Sequence, residues 1–327
     1  MERIFFRDRS VWAGDAQAEE SVWNLSCREE KKKIAVVGIS QGAGTTFVAM
    51  SLAFLLSKNV EKEQKKARNG SDRADCMAAG AAYVELRQPR AGEAAGFFGA
   101  GLDLRFRVNR FTDFFRIYMQ GQPLPPRVNL HKGINWIVWR SVANTGETAA
   151  TDDVMKIAEN DAPQPSLLAF PLEELAGEWI VADNPPLEML HRFDMVIGVI
   201  DPLPSRVFAG TETYEHLRDL CSSGMHILWV VNCDNTEVNH GELRRFLRLK
   251  EYHSIPLTDQ AVFYRAQYES CLPVEIFAAY SLNKISTPYT TCKVYEALDS
   301  LARKTTAFFT DEKAAAGGRH QKNSGLP

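Results

Sequence analysis

The sequence predicts an α/β protein with a doubly wound, mostly parallel sheet and helices on both faces. Short runs rich in valine and isoleucine alternate along the chain with segments of helical pattern. Most of these runs are apolar throughout rather than at every second residue, which is typical of strands covered on both sides. A glycine-rich turn joins the first run to the first helical segment. Together these features favour crossover units packed against a central sheet.

The individual elements follow from the same patterns. The predicted strands are residues 34–37, 82–86, 134–139, 179–182, 195–200 and 227–231. The predicted helices are residues 45–56, 204–220, 241–250, 259–270 and 293–308. The segment 61–80 is charged and contains glycine, so it is interpreted as a surface connection.

One domain is predicted between two polar ends. Residues 1–30 form an N-terminal extension, residues 31–310 the α/β domain, and residues 311–327 a disordered tail without an apolar face. Residues 88–130 are an aromatic-rich insertion that mixes phenylalanines with arginines. We interpret it as aromatic packing at the sheet edge, with a partner surface as the alternative.

Composition excludes several classes of protein. The 38 basic and 41 acidic residues leave a formal net charge of -3, so no overall field attracts nucleic acid. Six cysteines without a CxxC pair predict reduced thiols and no structural zinc. The amino terminus lacks the apolar core of a secretory signal, and no apolar run reaches the ~20 residues of a spanning helix. We therefore expect a cytoplasmic protein.

The glycine-rich turn is the candidate functional site. It lies within KKKIAVVGISQGAGTTFVAMSLAFLLSK, where an apolar strand leads into glycines and then into a helix. Glycines allow successive N–H groups to point inward, and the start of a helix adds positive potential where a phosphate would lie. The candidate nucleotide-binding residues are Gly42, Ala43, Gly44, Thr45 and Thr46, and the Thr46 hydroxyl is also a candidate magnesium ligand.

The turn departs from the two strict phosphate-binding patterns. In GxxxxGK[ST], Ile39 occupies the first glycine position and Thr45 the lysine position. In GxGxxG, Phe47 occupies the third glycine position, which disfavours a dinucleotide-dependent oxidoreductase. A tight strand-to-helix turn that binds no ligand is the alternative interpretation.

The order of these segments resembles that of the MinD/ParA-type deviant P-loop ATPases. The family has KGGVGKTT at its turn, and this chain has SQGAGTTF from Ser40 to Phe47. Ser40 replaces the signature lysine of the family, and Thr45 replaces the lysine that contacts the phosphates. The resemblance covers most of residues 31–308.

The resemblance implies further site residues. AAYVELRQPR places Glu85 where the family has an acidic residue, and EWIVADNPP places Asp183 as the carboxylate that orders magnesium through water. ILWVVNCDN places Asn232 where the family contacts adenine. Each has a structural alternative, since Asp183 precedes two prolines and Asn232 suits a turn. Asp201, between a strand and prolines, is interpreted as a loop start.

The missing lysines determine the functional prediction. Without that positive charge, transition-state stabilisation suffers more than binding, because backbone amides and magnesium remain. The resemblance therefore implies an ATP- and magnesium-binding protein with weak or no hydrolysis, which acts as a positioning or regulatory scaffold. The alternatives are an active ATPase or kinase in which another residue, such as Arg87, replaces the lysine, and an interaction protein without nucleotide. No catalytic residue is assigned.

The resemblance also implies partners. We expect a protein partner in positioning, pilus or secretion machinery and a nucleotide-dependent homodimer, with no nucleic acid. The helix at residues 293–308 has an apolar face that includes Val294, Leu298 and Leu301. Core packing is the preferred interpretation of this face, and peripheral attachment to the inner face of the membrane is the alternative.

Overall fold

One eight-stranded sheet organises the chain. The computed structural model describes residues 31–67, 79–86, 114–124, 129–138, 166–269, 271–282 and 289–321. The strands are β1 (Lys32–Gly38), β2 (Ala81–Glu85), β3 (Leu130–His131), β4 (Ile134–Ile137), β5 (Trp179–Asp183), β6 (Met195–Ile200), β7 (His226–Asp234) and β8 (His253–Pro256). Their order is β3-β4-β2-β5-β1-β6-β7-β8, and every neighbouring pair except β3 and β4 is parallel.

Helices cover both faces of the sheet, as the sequence predicts. They are α1 (Thr45–Ala67), α2 (Phe114–Met119), α3 (Pro204–Ala209), α4 (Thr211–Ser222), α5 (His240–Leu247), α6 (Gln260–Glu269), α7 (Pro273–Leu282) and α8 (Tyr289–Gln321). Short 3₁₀ turns at Leu167–Ala169, Leu172–Glu174 and Leu187–Arg192 supplement them. The predicted doubly wound α/β architecture is confirmed.

The central strand β1 shows why both faces are apolar. Ile34 and Val36 point into a core with α1, α6, α7 and α8. Ala35 and Val37 point into the opposite core, which includes residues of α2, α4 and α5. All four side chains are at most 2% exposed. A strand with both faces buried requires a continuous apolar run, which is what the sequence shows.

The first helix is longer than predicted. Helix α1 continues to Ala67, so the assignment of residues 61–67 to a surface connection was wrong. Val60 still packs in the core, and Glu61 pairs with Lys65 one turn later at 2.7 Å. Charged residues with high helix propensity therefore extend the helix beyond its buried part. Residues 68–78 lie outside the described chain.

The predicted helix at 204–220 is interrupted at Gly210. The Gly210 N–H donates to the carbonyl oxygens of Arg206 and Val207, which ends α3. A Cβ on Gly210 would lie 2.6 Å from the Ile39 carbonyl oxygen, so only glycine allows this approach to the end of β1. A close tertiary contact therefore splits a segment that has helical pattern throughout.

Four described elements, α2, β3, β8 and α7, were not predicted. Helix α2 and strand β3 are short, with six and two residues, β8 reads HSIP, and α7 has apolar residues around most of its circumference, so none shows the expected periodicity. Helix α8 also extends to Gln321, beyond the Asp311 boundary of the predicted disordered tail. The sequence around Ala314–Ala316 is rich in good helix formers, which favours this continuation.

The remaining predictions concern the insertion, the ends and the apolar face of α8. Phe114 and Phe115 are buried, and the Phe115 ring lies 5.0 Å from that of Phe170, which matches the packing interpretation for this part. The described chain does not include residues 1–30. It also leaves out residues 87–113 and 125–128, which make up most of the insertion. Val294, Leu298 and Leu301 are core residues. Within the described helices, none is both long and apolar enough to span a bilayer.

Candidate functional site

The candidate site lies at the carboxyl ends of the parallel strands. Strands β2 and β5 end at Glu85 and Asp183, Asp201 follows β6, and Asn232 lies near the end of β7. Each of these four polar side chains belongs to a residue that is at most 7% exposed. Because parallel strands end at the same edge, the fold brings together residues separated by almost 150 positions, and ligands of open α/β sheets bind at this edge.

The glycine-rich turn presents unused backbone donors to this edge. Gly42 and Gly44 have φ values of 78° and 86°, which favour glycine. Ala43 donates its N–H to the Ser40 carbonyl at 3.3 Å. Within the described chain, the N–H groups of Gly42, Gly44, Thr45 and Thr46 donate to no acceptor. These amides lie at the positive end of α1, the arrangement that binds anions in other proteins.

Asn232 holds the turn against β7. Its Nδ2 donates to the Ala43 carbonyl at 2.9 Å. A Cβ on Gly44 would lie 2.1 Å from the same Nδ2, so the Gly44 backbone and the amide are in direct contact. The structure thus places Asn232 beside the turn. In this arrangement its amide nitrogen contacts the protein backbone.

Thr46 and Asp183 form the candidate magnesium site. The Thr46 hydroxyl donates to Asp183 Oδ2 at 2.7 Å. The Tyr83 hydroxyl lies 2.9 Å from the same oxygen and 3.5 Å from Glu85 Oε1. Burial, followed by the charges of Asp183 and Glu85, raises the pKa of Tyr83 well above its usual value, so the phenol keeps its proton as a donor. The three predicted residues Thr46, Asp183 and Glu85 therefore lie in one cluster.

Thr45 has a different environment from Thr46. It is 8% exposed, and its hydroxyl lies 2.4 Å from the position that a Cβ on Gly38 would occupy. The Gly38 N–H donates to the side-chain oxygen of Asn184 at 3.3 Å. The Thr45 side chain therefore packs over the last residue of β1. Only the backbone N–H of Thr45 remains as a donor for a ligand at the turn.

Asp201 forms the loop start that the sequence indicates. Its Oδ1 accepts the Leu203 N–H at 2.9 Å. Its Oδ2 accepts from Arg206 Nη1 at 2.6 Å. The same nitrogen of Arg206 donates to the Gly42 carbonyl at 2.6 Å, so the loop after β6 is tied to the glycine-rich turn.

Comparison with solved structures identifies the fold. The MinD cell division ATPase of Pyrococcus furiosus is 14% identical, with 85% of this chain and 99% of that chain covered, at a TM-score of 0.51. A plasmid partition protein from Borrelia burgdorferi bound to AMPPNP is 16% identical, with 84% of this chain and 99% of that chain covered, at a TM-score of 0.50. The chain has the MinD/ParA-like P-loop fold. No protein-family model and no curated protein matches the sequence.

The turn of this MinD/ParA-like chain differs from the family motif at both lysine positions. Ser40 and Thr45 carry no charge. Ser40 Oγ is buried and has no hydrogen-bond partner among the described residues. The strand, turn and helix of the fold are therefore present without the lysine that contacts phosphate in that motif.

The groups at this site could bind the phosphates of a magnesium nucleotide and part of the coordination shell of the metal. The unused amides of the turn suit phosphate oxygens, and the hydroxyl of Thr46 and the carboxylate of Asp183 are the hard oxygen ligands that Mg²⁺ prefers. No group of three or more His, Cys, Asp or Glu side chains that could enclose a metal occurs in the described ranges. Any magnesium bound here would therefore need oxygens from water or from a phosphate.

Sequence reasoning missed two residues of the site within the MinD/ParA-like fold. Tyr83 occurs in an apolar strand, where its hydroxyl needs a buried partner, and its spacing of two from Glu85 places both on one face. Arg206 lies in the first helix after β6, and a segment at this edge of the sheet is where a charged side chain can reach the turn. Arg87, the suggested lysine substitute, lies outside the described residues.

Proposed function

We propose that this protein binds ATP with magnesium and uses the bound state to position or regulate a protein partner, with weak or no hydrolysis. The observation that carries the proposal is the set of unused amides between Gly42 and Thr46, with the Thr46 hydroxyl 2.7 Å from Asp183. Amides at a helix start bind phosphate without a side chain. Asn232 and Glu85 complete the proposed site.

The absence of lysine favours binding over turnover. Phosphoryl transfer needs positive charge that stabilises the departing phosphate, and loss of one well-placed donor costs about 3 kcal/mol in other enzymes. A bound Mg²⁺ ion neutralises part of the phosphate charge. Within the chain, Thr46 and Asp183 would hold it, and the buried Tyr83 hydroxyl orients the Asp183 carboxylate.

Calorimetric titration with ATP, in magnesium and in EDTA, tests the binding. We expect the wild type to bind more tightly in magnesium. In Thr46→Ala we expect a smaller difference between the affinities in magnesium and in EDTA, because the variant lacks the hydroxyl beside Asp183. Thr310→Ala is the matched control, since Thr310 is exposed and its hydroxyl donates to a carbonyl within α8. Absence of binding by the wild type contradicts the proposal and leaves an interaction protein without nucleotide.

A phosphate-release assay tests the weak hydrolysis separately. We expect turnover far below the roughly 1 to 100 s⁻¹ of typical kinases. Rapid release that Asp183→Ala abolishes would instead favour the alternative of an active ATPase or kinase.

Assembly and location stay predictions. A cell division ATPase and a plasmid partition protein share the fold, which supports a positioning role for this chain. We propose a nucleotide-dependent homodimer, which light scattering with and without magnesium ATP would detect as a doubled mass. The burial of the apolar face of α8 favours core packing over peripheral membrane attachment.

A further inference from the structure

Arg206 lies directly on the glycine-rich turn. Its Nη1 donates to the Gly42 carbonyl oxygen at 2.6 Å. A Cβ on Gly42 would lie 3.0 Å from Nη1 and 3.5 Å from Nη2, so the guanidinium faces the Gly42 backbone. Its side chain is 41% exposed, which leaves it accessible from solvent. A cation is therefore present at the turn even though both lysine positions lack one.

The guanidinium retains donors for a ligand. Nη1 carries two hydrogens, and Gly42 and Asp201 account for both. Nη2 and Nε donate to no acceptor in the part of the chain that the structure describes. A guanidinium presents these remaining N–H groups in one plane, which matches the spacing of phosphate oxygens.

Asp201 positions this side chain. The Asp201 side chain is 10% exposed, and its ion pair with Arg206 spans 2.6 Å. Asp201 is fixed in turn by the Leu203 N–H, which its Oδ1 accepts at 2.9 Å. A guanidinium held at two points loses less conformational freedom when it binds a ligand than a free side chain does.

The lysines at the start of β1 lie away from the turn. Lys32 and Lys33 begin β1, at the opposite end of the strand from the turn, and their side chains pair with Glu178 and Glu173. Arg206, in contrast, lies in helix α3, which follows β6, the neighbour of β1. The charge at the turn therefore comes from a separate segment of the chain, the helix after β6, whereas in a P-loop the lysine belongs to the turn itself.

We propose that Arg206 is the phosphate-binding cation of this site and that its free guanidinium N–H groups contact the polyphosphate of the nucleotide. This inference rests on the proposed ATP binding. The alternative is that Arg206 only ties two loops together, which its bonds to Gly42 and Asp201 would already achieve. The two roles differ in their dependence on salt and on ligand charge.

Titration of magnesium ATP into wild type, Arg206→Gln and Arg206→Lys tests the proposal. We expect Arg206→Gln to weaken binding about 10- to 100-fold, as for loss of hydrogen bonds to a charged group. Arg206→Lys restores part of the affinity, because it keeps the charge but not the planar fork. Arg218→Gln is the matched control, an exposed arginine of α4, and leaves the affinity unchanged.

Salt dependence separates ligand contact from loop support. Binding by the wild type and by Arg206→Lys should weaken more steeply between about 50 and 300 mM NaCl than binding by Arg206→Gln. The reason is that salt screens the positive charge at residue 206, which the glutamine variant lacks. Equal affinities of wild type and Arg206→Gln overturn the inference alone. The inference is also overturned if Arg206→Gln and Arg206→Lys lose the same affinity and both keep the salt dependence of the wild type. No binding by the wild type overturns the proposed function as well.

Discussion

The two ends of the parallel sheet differ in the groups that contact their carboxylates. At the amino end, lysines and arginines lie at the surface and pair with acidic residues, as in Lys32 with Glu178 at 2.6 Å and Arg192 with Glu173 at 3.0 Å. At the carboxyl end, the carboxylates of Glu85 and Asp183 are buried. The hydroxyl groups of Thr46 and Tyr83 lie against this carboxylate pair.

This difference shows what the basic run at the start of β1 does. Lys31 Nζ donates to the carbonyl oxygens of Glu173 and Leu175. The Lys33 N–H donates to Asp194 at 2.7 Å. These lysines hold the amino end of β1 against neighbouring segments, so they cannot replace the missing lysines of the turn. The carboxylates at the carboxyl end are buried and do not hold the surface together in this way. Buried ionisable groups at one edge of a sheet are typical of a site that binds a ligand.

The largest expected loss of stability comes from Gly44→Ala at the carboxyl end. The added Cβ meets Asn232 Nδ2 and forces an alanine to adopt φ near 86°. We expect the free energy of unfolding to fall by at least about 2 kcal/mol, measured by urea denaturation.

Gly121→Ala is its matched control. Gly121 has φ of 68°, but a Cβ there would meet no atom within 4 Å. Backbone strain alone should cost about 1 to 2 kcal/mol. Equal losses in the two variants would show that the contact between Gly44 and Asn232 is unimportant.

A smaller loss is expected for Tyr83→Phe. The change removes a buried donor to Asp183 and should cost about 1 to 2 kcal/mol at pH 7. Tyr264→Phe, at a residue that is 62% exposed, is the control and should change stability by less than about 0.5 kcal/mol. Similar losses in both variants would contradict the role of Tyr83 at the site.

Tyr83 also predicts a dependence of stability on pH. The pKa of Tyr83 is raised in the folded protein, so above about pH 10 the unfolded chain releases a proton that the folded chain retains. Stability therefore falls as the pH rises through this range. In Tyr83→Phe the fall should be shallower, by at most about 1.4 kcal/mol per pH unit, in denaturation at about pH 9 and about pH 11.

The smallest effect is expected at the amino end. Glu178→Gln removes one charge of a partly exposed ion pair with Lys32, and such pairs contribute about 0 to 1 kcal/mol. The control is Glu237→Gln, since Glu237 is exposed and forms no ion pair with a described residue. A loss as large as that of Gly44→Ala would contradict the contrast between the two ends.

Local sequence was informative where burial imposes a continuous pattern. The apolar run of β6 gave the same bounds, Met195–Ile200, that the structure has. Strand β8 and helix α7 were missed because their residues show neither alternation nor a helical stripe. The break at Gly210 was missed because its cause is the Ile39 carbonyl, which is distant in sequence.

The sequence by itself determined the alternation of strands and helices, the glycine-rich turn and the absence of both lysines from it. It also placed Thr46, Asp183, Glu85 and Asn232 as candidates. Only the tertiary structure decided that Tyr83 joins the two carboxylates and that Arg206 reaches Gly42. These contacts depend on the order of the strands in the sheet, which sets which loop lies beside the turn and which the spacing of residues along the chain does not specify.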